Sequence, residues 1–195
     1  MNKKVYIIHG WDGSPNEPML QWLKSSLEEK GYDIVVPEMP EPAVPKIESW
    51  VGKLKDVVGS VPDEETIFIG HSIGCQALLR YLQTLDGSIK IAGVVLIAPW
   101  MELDKQTMED EGQEGIEIAR PWMETPIDFQ KVKSHIKKAV AIFSDNDPYV
   151  PLSQKDLFEK ELGAEVIVEN NKGHFTISDG IDSLSSVLKA VIELD

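Results

Sequence analysis

The chain has 195 residues, and its 33 acidic residues against 19 lysines and arginines give a formal net charge of −14. This length fits one domain with a sizeable core, and 42% hydrophobic with 27% charged residues is an ordinary globular composition. So acidic a surface repels phosphate groups, which argues against nucleic acids and anionic membranes as partners.

The sequence predicts neither a membrane span nor a leader. Its apolar runs are all far shorter than the ~20 residues of a transmembrane helix. The apolar run in "MNKKVYIIHG" is also too short for a signal peptide. The single cysteine, Cys75, cannot form an intramolecular disulfide bond, and we therefore expect a cytoplasmic protein.

Six short runs rich in β-formers are spread along the chain. They are nearly continuous apolar segments rather than strict alternations, which is typical of strands buried on both faces of a parallel sheet. The runs cover residues 4–9, 33–36, 66–70, 92–98, 139–144 and 164–169.

Helical patterns separate these runs. In the first, "SPNEPMLQWLKSSLEEKG", Ser14, Pro15 and Glu17 form the pattern of a capping box with proline at the first helical position, and Gly31 is the expected C-terminal cap. The alternation predicts a single α/β domain over residues 1–195, with a doubly wound, mostly parallel six-stranded sheet and helices on both faces. The other helical patterns cover residues 46–58, 73–85, 153–163 and 181–194.

One long segment, residues 99–138, interrupts the alternation between the fourth and fifth strands. It is acidic and contains few apolar anchors. An insertion of this length is usually a functional excursion or a mobile loop. Residues 101–126 are therefore a candidate lid, although a glutamate-rich tract is also typical of plain solvated surface.

A serine, an acid and a histidine follow the ends of three predicted strands, in that chain order. Ser72 lies in "GHSIG" after the third strand, Asp145 and Asp147 lie in "SDNDPYVP" after the fifth, and His174 lies in "NNKGHF" after the sixth. The carboxyl ends of parallel strands meet at one edge of the sheet. These side chains are therefore expected close together.

The three residue types fit nucleophilic catalysis. A serine hydroxyl attacks well only when a base takes its proton, and histidine can do this near neutral pH. A buried carboxylate then fixes the tautomer of the imidazole. Glycines on both sides of the serine permit the strained turn that exposes its oxygen, and the helix that starts at Ile73 places backbone donors near a developing oxyanion.

Plainer interpretations remain open for each residue. Ser72 could occupy a strand-to-helix turn without chemistry, and His174 could cap a helix. Either aspartate could be the acid, and Asp145 could instead hydrogen-bond the turn. His9 and His71, which flank the predicted site, are expected to brace loops rather than to transfer protons.

Five motifs, "HGWDGSP", "IGHSIGC", "LIAPW", "FSDNDPYVP" and "KGHF", resemble those of the small α/β-hydrolase family that includes the retinoblastoma-binding serine hydrolases and many bacterial homologues. The resemblance covers essentially the whole chain. It implies a truncated α/β-hydrolase fold without the first two antiparallel strands. It also implies Ser72 as nucleophile, Asp147 as acid, His174 as base, and the backbone N–H groups of Trp11 and Ile73 as the oxyanion hole. The insertion at 105–118 matches no family motif.

The expected reaction is hydrolysis of a small ester, or of an activated amide, through an acyl-enzyme. Trp11, Trp100, Trp122 and Phe175 are candidate pocket residues, and large rings near the nucleophile predict a narrow, apolar acyl pocket that prefers short chains. No cofactor or metal is expected, because neither nucleotide-binding motifs nor metal-ligand spacings occur. A protein-binding module with incidental activity, or an acyl transferase, would be compatible with the same residues.

Overall fold

Six strands form one parallel sheet in the computed structural model, which describes residues 3–58 and 62–194. Their order across the sheet is β2-β1-β3-β4-β5-β6, and every neighbouring pair is parallel. The predicted α/β sheet is confirmed. The strands are β1 (Lys4–Ile8), β2 (Asp33–Val35), β3 (Thr66–His71), β4 (Ile91–Ile97), β5 (Ile136–Ser144) and β6 (Glu165–Glu169).

The burial of the strands follows their place in the sheet. All residues of the central strands β3 and β4 are buried, as their continuous apolar sequences predict. The edge strands β2 and β6 contain exposed residues. β5 begins at Ile136 rather than at the predicted Ala139, because "IKK" is a polar start to the strand at its solvated end.

Helices cover the sheet in two separate layers. α1 packs against α8 in one layer, while α2, α3, α6 and α7 contact one another in sequence in the other. None of the helices in the described ranges is long and apolar enough to cross a membrane. The helices are α1 (Pro18–Glu28), α2 (Ile47–Val58), α3 (Ile73–Leu82), α4 (Lys105–Asp110), α5 (Gly112–Glu124), α6 (Phe129–His135), α7 (Gln154–Leu162) and α8 (Ser185–Glu193).

The start of α1 differs from the prediction. The helix begins at Pro18, so that the proline in its first turn is Pro18 and not Pro15. Half of the predicted capping box is present, since the Glu17 carboxylate accepts a hydrogen bond from the Ser14 N–H at 2.9 Å. The Ser14 hydroxyl instead accepts from the Asn16 N–H, which closes a turn ahead of the helix.

The insertion between β4 and β5 is helical, with α4, α5 and α6 following one another. These helices were not predicted from the sequence, because few apolar residues lie on their inner faces. The buried Arg80 of α3 fixes the end of α5. Its guanidinium donates hydrogen bonds to the carbonyl oxygens of Trp122 and Thr125, which would otherwise lack partners at the helix terminus.

Candidate active site

Ser72 occupies the turn between β3 and α3. Its φ of 52° and ψ of −122° are rare for a residue other than glycine, and such strain is typically found at functional sites. The backbone N–H donates to the carbonyl oxygen of Ile97 at 2.8 Å, which ties the turn to the end of β4. Ser72 lines a cavity of about 710 Å³.

Both glycines around Ser72 are required by close packing. A Cβ atom at Gly74 would lie 2.5 Å from the carbonyl oxygen of His9 and 2.6 Å from that of Ile8. A Cβ atom at Gly70 would lie 2.8 Å from the backbone of Cys75. The first turn of α3 therefore rests directly on the ends of β1 and β3, which explains the "GHSIG" pattern.

Four consecutive residues, from Ser144 at the end of β5 to Asp147, contact four consecutive residues of the loop after β6, Asn171 to His174. The Ser144 hydroxyl accepts from the Lys172 N–H at 3.0 Å, Asp145 accepts from the Asn171 N–H at 2.8 Å, and Asn146 accepts from the Gly173 N–H at 2.9 Å. Asp147 contacts the His174 ring. The "SDND" segment thus fixes the histidine loop along its whole length.

Asp147, not Asp145, contacts His174. The Asp147 Oδ2 atom lies 2.8 Å from His174 Nδ1, and both side chains are largely buried. Asp147 Oδ1 accepts from the N–H groups of Tyr149 and Val150. Because a carboxylate accepts here, the neutral imidazole carries its proton on Nδ1, and Nε2 is left unprotonated.

A second carboxylate holds the main chain of the histidine loop. Asp179 Oδ2 accepts from the His174 N–H at 2.9 Å and from the Thr176 N–H at 3.0 Å. Burial raises the pKa of Asp179, but the hydrogen bonds from Thr176 and His174 outweigh it, and the net shift is downward. Asp179 therefore stays ionised and keeps the loop in place.

His9 and His71 both brace loops. His71 Nε2 donates to the carbonyl oxygen of His174 at 2.8 Å. His9 Nδ1 donates to the carbonyl oxygen of Gly10, and its Nε2 accepts from the Met39 N–H. Burial lowers the pKa of both rings, so that they remain neutral.

Two backbone N–H groups beside Ser72 have no acceptor among the described residues. They belong to Trp11, in the loop after β1, and to Ile73, the first residue of α3. Gly10, next to Trp11, lies close enough to the turn that an added Cβ atom would sit 3.5 Å from Ser72 Cβ. These are the N–H groups that the sequence resemblance implies for an oxyanion hole.

The hydroxyl of Ser72 contacts a tryptophan. Trp100 Nε1 donates to Ser72 Oγ at 3.3 Å. Ser72 and His174 line the same cavity, but no hydrogen bond joins these two described side chains. Nucleophile and base are often farther apart in a free enzyme than in its complex with substrate.

Comparison with known proteins agrees with this geometry. The serine hydrolase family profile matches residues 5–193. The chain belongs to the serine hydrolase family. It is 30% identical to the putative hydrolase YdeN of Bacillus subtilis over 188 residues, which cover 96% of this chain and 93% of YdeN. It is 25% identical to the rat serine hydrolase RBBP9 over 186 residues, which cover 94% of this chain and 87% of RBBP9.

Solved structures show the same fold. The crystal structure of the B. subtilis ydeN product matches with a TM-score of 0.88 at 26% identity, covering 99% of this chain and 98% of that one. Est1E from Butyrivibrio proteoclasticus matches with a TM-score of 0.72 at 16% identity, covering 99% and 88% of the two chains. The serine hydrolase therefore has the α/β-hydrolase fold.

The cavity of this serine hydrolase has a lining that combines apolar side chains with carboxylates. Its volume is about 710 Å³, and Asp12, Glu17 and Glu111 lie in its lining, which includes no lysine or arginine. Glu17 is half-buried, and burial raises its pKa, although the Ser14 hydrogen bond and His174 oppose this shift. That the acyl chain binds in a narrow, apolar part of this cavity stays a prediction.

Two of the four candidate pocket residues lie elsewhere. Trp11 and Trp100 line the cavity. Trp122 is fully buried, with its ring against Trp50 and its N–H donated to the Pro45 carbonyl oxygen. Phe175 is also in the core, at 1% exposure, because its left-handed φ of 60° turns the chain inward after His174. Neither belongs to the cavity lining.

Several cavity residues were not predicted from the sequence. Tyr149 and the segment 176–178 line the cavity, and they are close neighbours in sequence of Asp147 and His174. Their proximity along the chain is the signal that could have identified them. Within the described ranges, no group of three His, Cys, Asp or Glu side chains could hold a metal ion.

The helical insertion forms one wall of the cavity. Met108, Glu111 and Gly115 belong to the lining. The wall is attached to the loop of Asp147, since the Tyr149 hydroxyl donates to Glu111 at 3.2 Å and the Thr107 hydroxyl donates to the Pro148 carbonyl oxygen at 2.6 Å.

Proposed function

We propose that this serine hydrolase is an esterase that uses Ser72 as nucleophile, His174 as general base and Asp147 as the acid that orients it. The observation that carries the proposal is the 2.8 Å contact between Asp147 Oδ2 and His174 Nδ1, in the same cavity as the strained Ser72 turn. The contact leaves His174 Nε2 unprotonated and available to the serine.

The reaction proceeds in two halves. His174 Nε2 takes the proton of Ser72 as the oxygen attacks the ester carbonyl carbon, and the imidazolium then protonates the leaving alcohol. In the second half, water gives a proton to His174 and attacks the acyl-enzyme. The carboxylic acid is released, and Ser72 regains its proton from His174.

The negative charge of each tetrahedral intermediate needs hydrogen-bond donors that stabilise it. The N–H groups of Trp11 and Ile73 support this role because neither has an acceptor among the described residues. The start of α3 at Ile73 adds the positive end of the helix dipole.

The helical wall formed by α4 and α5 is proposed to act as a lid. It borders the cavity, and hydrogen bonds that water could replace link it to the Asp147 loop. Its acidic residues would exclude anionic substrates from the site.

A panel of p-nitrophenyl esters, with the matching p-nitroanilides, tests the proposed function. Wild type should hydrolyse the esters faster than the anilides, Ser72→Ala should be inactive on both, and Ser178→Ala should remain active. Ser178 is the matched control, because it is a serine that lines the same cavity. Ester hydrolysis by Ser72→Ala at the wild-type rate would overturn the proposal.

A further inference from the structure

Trp100 is placed against Ser72 by an unusual turn. Ala98, the residue after β4, has a φ of 47°, and its N–H is bound by the Ile142 carbonyl oxygen. Such a conformation is costly for alanine and persists only where surrounding contacts impose it. The turn directs the Trp100 ring, which is only 1% exposed, over the nucleophile.

The hydrogen bond of Trp100 differs from those of the other two fully buried tryptophans. Trp50 donates to the Pro40 carbonyl oxygen at 2.8 Å, and Trp122 donates to the Pro45 carbonyl oxygen at 3.0 Å. Trp100 donates to a side-chain hydroxyl, Ser72 Oγ, at 3.3 Å. A buried indole N–H needs an acceptor, and here the acceptor is the reacting atom.

We propose that Trp100 is a further catalytic residue, whose indole N–H stabilises negative charge on Ser72 Oγ. This inference rests on the proposed function of Ser72. During acylation the O–H bond breaks, the proton passes to His174 Nε2, and the Oγ–carbon bond forms while Trp100 keeps its own proton. During deacylation the Oγ–carbon bond breaks, and charge returns to Oγ until His174 protonates it.

The chemistry of the indole suits this role. A serine oxygen has two lone pairs and one proton, and Trp100 occupies one lone pair. An indole N–H is a donor only, so that it cannot take the serine proton, which is left for His174. The 3.3 Å separation is long for a neutral contact, and a charged acceptor forms shorter and stronger bonds. The contact therefore favours the charged state of Oγ over the resting hydroxyl.

Burst kinetics with p-nitrophenyl acetate test the role, using Trp100→Phe and the matched control Trp122→Phe. Both variants lose a buried indole N–H and keep an aromatic ring, but only Trp100 contacts Ser72. Active sites are counted by phosphonate titration, and rates are given per active site. A hydrogen bond to a charged group predicts acylation and deacylation about 10-fold to 100-fold slower in Trp100→Phe. The rates of Trp122→Phe should stay within about 2-fold of wild type, because Trp122 does not contact Ser72.

An unchanged or faster Trp100→Phe would overturn the inference while leaving the proposed function intact. Failure of the phosphonate to label Ser72 in wild type would instead contradict the role of Ser72 itself. A measurement on wild type avoids dependence on the folding of a variant. With ¹⁵N-labelled tryptophan, phosphonylation of Ser72 should shift the Trp100 indole resonance more than those of Trp50 and Trp122, and an unshifted Trp100 would contradict the contact.

Discussion

The ring of His71 and the main chain of His174 are joined by a hydrogen bond of 2.8 Å. His71, which directly precedes Ser72, therefore fixes the backbone of His174, the candidate base. Since a carbonyl oxygen can only accept, the proton of the His71 ring is on Nε2. His71 Nδ1 has no hydrogen-bond partner in the described part of the chain, and it lies close to Gly10. A proton on Nδ1 would be a buried donor without an acceptor.

This arrangement predicts a loss of stability in acid. Burial, aided by the charge of His174, lowers the pKa of His71 from 6.5 to about 4. Between these values the unfolded chain binds more protons than the folded chain. The free energy of unfolding should therefore fall as the pH decreases from 6.5 towards 4, with a contribution from His71 of roughly 3 kcal/mol.

Urea unfolding of wild type and His71→Gln at several pH values checks this. Glutamine keeps an N–H donor for the His174 carbonyl oxygen but cannot be protonated. Wild type should lose stability more steeply than the variant below pH 6.5. If the free energy of unfolding falls equally with pH in the two proteins, His71 is not the group whose protonation destabilises the fold.

Replacement of the two aspartates should separate their roles. Asp147→Asn should leave the fold intact but favour the wrong tautomer of His174, which costs up to ~10⁴ in kcat in other triads. Asp145→Asn should cost far less, because Asp145 contacts the Asn171 N–H rather than the imidazole. Steady-state ester hydrolysis measures both, and a larger loss in Asp145→Asn would contradict the assignment.

Gly74, two residues after Ser72, provides a stability test with an internal control. Gly74→Ala would force a Cβ atom to 2.5 Å from the His9 carbonyl oxygen, and we expect a loss of more than about 2 kcal/mol. Gly52→Ala, in α2, meets nothing within 4 Å and should stabilise the protein by up to ~1 kcal/mol. Thermal unfolding of both variants checks the prediction, and equal melting temperatures would contradict the packing of α3 on β1.

The carboxylates of the cavity predict discrimination against anionic substrates. An ester with a terminal carboxylate on its acyl chain should have a kcat/KM about 10-fold below that of a neutral ester of equal chain length. The difference should shrink at high salt and in Glu17→Gln with Glu111→Gln, since both residues line the cavity. If the ratio of kcat/KM for the anionic and the neutral ester is the same in wild type and in the double variant, these carboxylates do not act on the substrate.

The sheet could be predicted from the sequence because its strands are short, continuous apolar runs between turn-forming residues. The rule that parallel strands end at one edge predicted that Ser72, the two aspartates after β5 and His174 lie together, and the family resemblance selected Asp147. The helices of the insertion were not predicted, because α4 and α6 are short and the apolar residues of α5 lie among glutamates, glycines and Pro121. The start of α1 was placed too early because Pro15 and Pro18 both precede a helical pattern, and only the fold selects between them.

The contacts of the cavity depend on residues far apart in sequence. Trp122 packs on Trp50, and nothing in its neighbourhood in the sequence distinguishes this from a place in the cavity. The contact between Trp100 and Ser72 spans two strand ends and requires the unusual φ of Ala98. Periodicity and motif spacing do not contain such tertiary information.

Covalent labelling of Ser72 tests the central claim most directly. Wild type, Ser72→Ala and Ser178→Ala are treated with a fluorophosphonate, digested, and analysed by mass spectrometry. We predict one adduct on Ser72 in wild type and in Ser178→Ala, and none in Ser72→Ala. An adduct on another residue, or equal labelling of Ser72→Ala, would contradict the assignment of Ser72 as the nucleophile.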